Sequence, residues 1–224
     1  MVRIAVDFKV LGSSMANISS KQIFAWIERY AALIAEQKDQ LTQLDAAIGD
    51  ADHGANMHRG FQAVLAKKND LQNPVIGVLL KGVAMTLIST VGGASGALYG
   101  TFFLQASTSA GSRTELTPSE FGSALEKGLA GIVSRGKATV GDKTMVDALQ
   151  PAIKMYKDAI ESGETLDLAL SKAVSAAEEG LKSTVPLVAR KGRASYLGER
   201  SAGHPDPGAS SAVLLFRSAA ETLG

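Results

Sequence analysis

From Ser20 onward apolar residues recur at spacings of three and four: Ile23, Phe24, Trp26, Ile27, Tyr30, Ala31, Ile34 and Ala35 make one face of a helix. The Ser19–Ser20 pair ahead of them supplies an N-cap. Further along, 56–66 reads as a short helix and 75–90 as a buried apolar one, with 97–110 similar. Thr117-Pro118-Ser119-Glu120 starts the next helix, with Thr117 as cap, Pro118 in the first turn and Glu120 as capping-box partner. That helix should run to about Ser134, followed by helices near 144–163, 165–184 and 207–223. No alternation at period two stands out, so the predicted class is all-α. Gly-rich connectors lie at 49–54, 92–96, 135–143 and 191–208, and binding residues commonly sit on such loops.

Composition narrows the picture. The 224 residues suit one domain, with an N-terminal extension over residues 1–19 and a helical domain over 20–224. Aromatic residues make up 5% of the chain, which favours helices packed through small side chains over a β-sandwich. Twenty-three basic and 22 acidic residues leave a net charge of +1, with no long basic run, so no nucleic-acid partner is expected. There is no cysteine, which excludes disulfides and thiolate metal sites and fits a reducing compartment. Met1 to Ser20 makes a poor signal peptide, and no stretch reaches the roughly 18 apolar residues that span a bilayer. A soluble, cytoplasmic protein without a membrane partner is the expectation.

The segment richest in chemistry runs from Leu44 to Met57. Asp45, Asp50 and Asp52 fall within eight positions, the last two flanked by Gly49 and Gly54. Crowded carboxylates each make the others harder to ionise, and a hard cation relieves that repulsion. Magnesium suits such a cluster, because it takes oxygen ligands and commonly shares its site with substrate phosphates. An EF-hand counted from Asp50 would put Gly54 and Phe61 at ligand positions, and so fails. Spacing alone leaves a purely structural Asp–Gly turn and a metal site equally open.

Other motifs are weaker. Residues 136–144 nearly spell a phosphate-binding P-loop, but Asp142 is one residue too many and no buried strand precedes it. Residues 93–96 hint at a hydrolase elbow with its second glycine misplaced. Both are better read as flexible backbone able to approach a ligand. Of the three histidines, His58 lies on a helix as a solvated or capping residue, and His204 sits in a rigid Pro-Gly turn. His53 stands beside Asp52, where its ring could donate to a phosphate. A phosphohistidine on this chain is the minority reading.

Taken together, five blocks resemble one family. They are Leu44-Asp45 with 48–57, Val91–Gly96 with Leu98-Tyr99-Gly100, Arg135–Ala138 with Gly141–Met145, Lys191–Ser201, and Asp206-Pro207-Gly208. In this order they resemble DhaL, the small ADP-binding subunit family of bacterial dihydroxyacetone kinases, over residues 20 to the end. The resemblance implies a barrel of about eight antiparallel helices with the nucleotide at one mouth. It implies two magnesium ions on Asp45, Asp50 and Asp52, and ADP or ATP along His53, Gly54, Asn56, Ala94, Ser95, Gly136, Met145, Arg193 and Asp206. Two divalent cations would overbalance three carboxylates, leaving positive charge for the phosphates.

The resemblance also implies partners. A DhaK-type subunit would hold dihydroxyacetone, or a related small sugar, as the phosphoryl acceptor. ADP would either stay bound and be rephosphorylated by a DhaM-type phosphohistidine protein of the phosphotransferase system, or exchange for ATP. A homodimer is left open. An adaptor module that binds nucleotide without turnover is the rival function, and the intact aspartate trio favours catalysis. One position departs from the family pattern: Ala51 stands where glycine is usual. If that position requires positive φ, alanine there is strained by about 1 kcal/mol.

Overall fold

The computed structural model describes residues 16–224. Most of the expected extension, 1–19, therefore lies outside the described residues. Its last two residues form β1 (Ile18–Ser19), which pairs antiparallel with β2 (Glu115–Leu116). These strands are too short to show a period, which is why sequence reading saw none. The rest is helical. In chain order come α1 (Ser20–Glu36), α2 (Lys38–Ile48), α3 (His53–Ala66), the single turn α4 (Lys68–Leu71) and α5 (Ile76–Thr90). They are followed by α6 (Gly93–Ala110), α7 (Pro118–Gly136), α8 (Val146–Glu161), α9 (Leu166–Ser183), a 3-10 segment over Arg193–Ser201, and α10 (Pro207–Leu223). The predicted all-α class is borne out.

Eight of these helices pack as a closed ring in the order α1, α3, α5, α6, α7, α8, α9, α10 and back to α1. α2 lies outside the ring against α3 and α10. The ring closes around a single large apolar core in which the scarce aromatics are concentrated. Trp26 meets the edge of Phe121 with ring centroids 5.4 Å apart, and Tyr30 meets Phe61 at 4.7 Å. Such tilted contacts place ring edges on ring faces, the arrangement aromatic quadrupoles favour. The polar tips are satisfied: Trp26 Nε1 donates to Leu215 O at 3.0 Å and Tyr156 OH to Pro118 O at 2.9 Å.

Both predicted caps form. Ser19 accepts from Gln22 N in a capping box, and Thr117 does the same with Glu120 N at 3.2 Å. α9 and α8 approach closely where Gly180 faces the Asp147 carbonyl, since a Cβ there would collide with that oxygen. Pro151, one turn further along α8, lacks the N–H that would have bonded this carbonyl.

Sequence reading missed α2 and began α3 and α6 too late. α2 buries only Leu41, Asp45 and Ile48, so a carboxylate occupies the middle of its inward stripe and breaks the apolar pattern. The first turns of α3 and α6 are rich in glycine and polar residues and so read as connectors. All three departures fall at one end of the ring.

Replacing Thr117 by Ala should lower unfolding free energy by about 1 kcal/mol by removing the cap of α7. Urea denaturation should show a lower midpoint at unchanged m-value.

Candidate functional site

A cleft of about 400 Å³ opens at the end of the ring where the first turns of α3, α6, α8 and α10 meet. These are alternate members of the ring, so neighbouring helices run antiparallel. Each helix presents the positive end of its dipole and its unpaired amide groups to the cleft, an arrangement that suits anions. An apolar wall of Ile48, Leu98, Ile132, Met145 and Val146 lines part of the same space.

Asp45, Asp50 and Asp52 converge at this mouth, each offering a carboxylate oxygen within 4.8 Å of the others. Asp45 projects from the last turn of α2 and is buried, while Asp50 is exposed and Asp52 half-buried. The Asp45 Oδ2 accepts from Asp52 N at 2.8 Å and His53 N at 3.1 Å, so it caps α3 from outside that helix. Asp50 pairs with Arg193 Nε at 2.8 Å. Among the described residues neither Asp45 nor Asp52 forms an ion pair with a basic side chain. Three carboxylates with one exposed guanidinium between them fit a hard divalent cation, whose oxygen preference this donor set meets.

His53 is buried at the first position of α3, and both ring nitrogens are engaged internally. Nδ1 meets Ser95 Oγ at 2.9 Å and Nε2 meets Ser211 Oγ at 2.9 Å. Ser211 Oγ also donates to Gly208 O and meets Tyr99 OH at 2.7 Å. The ring is therefore not free to donate to a phosphate, as its sequence neighbours had suggested. Burial holds the imidazole down to about 4, against the opposing pull of Asp45. Burial also pushes the Tyr99 phenol up to about 12.

Asp206 caps α10 through Ala209 N at 2.7 Å and is buried. Burial pushes its carboxyl up to about 7, with the Ala209 amide and Lys143 opposing and Asp147 and Asp45 adding to the rise. Ala94, Ser95, Gly136, Met145 and Arg193 also line the cleft, as expected. Gly54 and Asn56 do not. Gly54 lies where a Cβ would collide with the Lys38 carbonyl, so it serves the close approach of α3 to α2. The Asn56 side chain accepts from Arg59 Nη2 at 2.7 Å.

The structure adds residues the sequence reading passed over: Tyr99 and Ser211 behind His53, and Lys143 with Asp147 beneath the 137–145 loop. The signal for Lys143 was present in the segment set aside as a failed P-loop. Ala51 has φ +61°, in the left-handed region, so the conditional strain at this position is real.

The DAK2 domain family profile matches residues 47–221, which takes in Asp50, Asp52 and every cleft helix from α3 to α10 and begins two residues after Asp45. The chain belongs to the DAK2 domain family. Within this DAK2 family it is 45% identical over 201 residues to the ADP-binding subunit DhaL of a PEP-dependent dihydroxyacetone kinase from Escherichia coli K12, covering 90% of this chain and 96% of that subunit. It is 40% identical over 198 residues to the ADP-binding DhaL of a PTS-dependent dihydroxyacetone kinase from Lactococcus lactis, covering 88% and 95%. The crystal structure of the dihydroxyacetone kinase of C. freundii superposes at a TM-score of 0.70 with 26% identity, covering 99% of this chain and 37% of the kinase. The resemblance to DhaL-type subunits is thus borne out, and the DAK2 relatives are kinases.

Two tests follow from the site. Ala51→Gly should raise thermal stability by about 1 kcal/mol, because glycine enters the left-handed region without penalty. The second concerns pH in the metal-free protein. Between pH 4 and 6.5 the unfolded chain protonates its histidine while folded His53, held near 4, does not, so His53 makes stability rise with pH. Over 3.8 to about 7 the folded Asp206 keeps a proton that the unfolded chain has lost, so Asp206 makes stability fall with pH. The two slopes oppose each other. In Asp206→Asn the stability, relative to wild type, should gain about 1 kcal/mol per pH unit across that window. Melting temperatures from pH 4 to 7 measure it, and parallel profiles would contradict the assignment.

Proposed function

We propose that this chain is the nucleotide-holding subunit of a dihydroxyacetone-type kinase. The observation that carries the reading is the aspartate trio set against four helix N-termini beside an apolar wall, in a DAK2 chain similar along nearly its whole length to ADP-binding subunits. In this reading Asp45, Asp50 and Asp52 hold two magnesium ions. Bound magnesium supplies charge neutralisation and alignment to the phosphates, which is most of what phosphoryl transfer requires.

The chain's own residues divide the remaining work. Ile48, Leu98, Ile132 and Met145 offer an apolar slot for the base, and the first turns of α6 and α10 direct amide groups at the phosphates. Ser95, tied through its hydroxyl to His53, is fixed in orientation at that same place. Arg193, exposed and paired with Asp50, is able to turn toward phosphate oxygens. Ala94, Gly136 and Asp206 complete the lining, and Gly54 and Asn56 support it from behind. No residue of this chain needs to carry the phosphoryl group, and the buried, doubly engaged His53 is unsuited to do so.

The acceptor sugar, dihydroxyacetone or a small relative, is held by a DhaK-type partner that docks over the cleft mouth. For the donor we favour ADP retained in the cleft and recharged by a DhaM-type phosphohistidine protein. Relatives named as PEP- or PTS-dependent are 40–45% identical and match in length, whereas the human triokinase/FMN cyclase is 32% identical with 36% of its length covered. The reaction belongs to the cytoplasm in this reading, where both partners would be met; no described helix is long and apolar enough to cross a membrane.

Asp50→Asn tests the proposal. With a DhaK-type partner and dihydroxyacetone, phosphoryl transfer should drop by about a hundredfold or more while the far-UV circular dichroism stays helical. Wild-type turnover in that variant would sink the metal assignment.

A further inference from the structure

Lys143 is the one buried lysine among the described residues, and the proposed function leaves it unemployed. Its backbone adopts φ +62°, a conformation that costs a non-glycine residue about 1 kcal/mol. The loop around it is firmly tied down. Asp142 accepts from Thr139 N at 2.9 Å, and Asp147 accepts from Gly141 N at 2.6 Å and Thr144 N at 2.7 Å. From this base the ammonium reaches backbone carbonyls: Thr184 O at 2.7 Å, His204 O at 2.5 Å and, more distantly, Val185 O at 3.5 Å. It forms no ion pair among the described residues, although Asp206 and Asp147 favour its charge against the effect of burial.

The position of those carbonyls matters. Thr184 and Val185 follow directly on α9, and His204 lies two residues before Asp206, the cap of α10. Between them the chain makes an excursion, 185–205, that carries Arg193 across the cleft. Its two ends are also joined by Gly203 N to Val185 O at 2.7 Å and Asp206 N to Thr184 Oγ1 at 3.0 Å. Lys143 thus sits where the excursion leaves and returns, and links both ends to the loop that supplies Met145. The excursion makes few other ties: Arg190 N to Asp142 O at 3.1 Å, the Arg193–Asp50 pair, and a small apolar cluster of Ile48, Ala189 and Ala194.

We infer that Lys143 is a positioning residue, a tethered cation whose ammonium clasps the two ends of the 185–205 excursion and thereby sets Arg193 and Asp206 against the cleft. A charged donor shared among carbonyls inside the protein makes strong hydrogen bonds, and removing it leaves those carbonyl oxygens without this partner. From this left-handed backbone the Lys143 side chain runs to the Thr184 and His204 carbonyls. The near-P-loop segment therefore uses its lysine to hold protein, not phosphate. The consequence for nucleotide rests on the function proposed above, but the clasp itself does not.

Lys143→Met keeps the length of the side chain and removes its charge. Hydrogen exchange should show amides within 186–203 opening roughly tenfold more readily than in wild type, with the cores of α1, α5 and α6 unchanged. The dissociation constant for ADP with Mg²⁺ should rise by a similar factor. Lys143→Ala should show the same loosening, and propylammonium, which restores the missing atoms, should reverse it in this variant and have no effect on wild type. Unchanged exchange over 186–203 in Lys143→Met would overturn the inference, as would loosening spread evenly over the whole ring. Failure of propylammonium to restore a folded Lys143→Ala protein would overturn it too. If wild type itself binds no ADP, the proposed function fails while the exchange comparison still decides the clasp.

Discussion

Mutual repulsion among Asp45, Asp50 and Asp52 is the constraint that the rest of the molecule answers. Three carboxylate oxygens within 4.8 Å of one another are tolerable only where positive potential is concentrated, and the ring supplies it. Closing eight helices with alternating direction brings the N-termini of α3, α6, α8 and α10 to one end. Their dipoles and unpaired amides face the acids and any phosphate that joins them. The amides of Asp52 and His53 donate directly to Asp45, so the start of α3 is held by the same carboxylate that belongs to the trio. Arg193 offsets Asp50 from the opposite wall. The remaining excess of negative charge is what a divalent cation would satisfy.

Burial divides the polar groups around the cleft into two kinds. His53 and Asp206 are buried, and desolvation disfavours the charged form of each, so it acts in opposite directions on their affinity for protons. Both act by hydrogen bonding: one aligns Ser95 with Ser211, the other caps α10. Asp50 and Arg193, by contrast, remain exposed and able to move. The buried groups fix the shape of the cleft, and the exposed groups are free to meet a ligand.

The ring was legible in the sequence because most of its helices carry unbroken apolar stripes and two begin with recognisable capping boxes, at Ser19 and Thr117. What escaped was concentrated at the site, for a physical reason. Asp45 occupies a core-facing position of α2, so the helix that presents the first carboxylate of the trio lost its periodic signal. The opening turns of α3 and α6 carry glycine and short polar residues for close approach, and these resemble loops. The acidic trio and most of the cleft lining were readable from motif order. Gly54 and Asn56 were displaced from the cleft because their packing against α2 and Arg59 depends on tertiary neighbours. Tyr99 and Ser211 gave no local signal, since they meet each other across 112 residues, and Lys143 stood in the near-P-loop segment while its carbonyl partners lie 41 and 61 residues further on. Backbone strain at Ala51 and Lys143 marks the same end of the molecule, where local preference yields to the geometry of the site.

The central claim is that the cleft holds an adenine nucleotide through divalent cations on the aspartate trio. Native mass spectrometry of freshly purified protein, with no nucleotide added, tests it most directly. The account predicts a complex heavier than the chain by one ADP and two magnesium ions, which exchanges slowly with labelled ATP and collapses to the bare chain on chelation. A chain that carries no nucleotide and takes up neither ADP nor ATP with magnesium would contradict it.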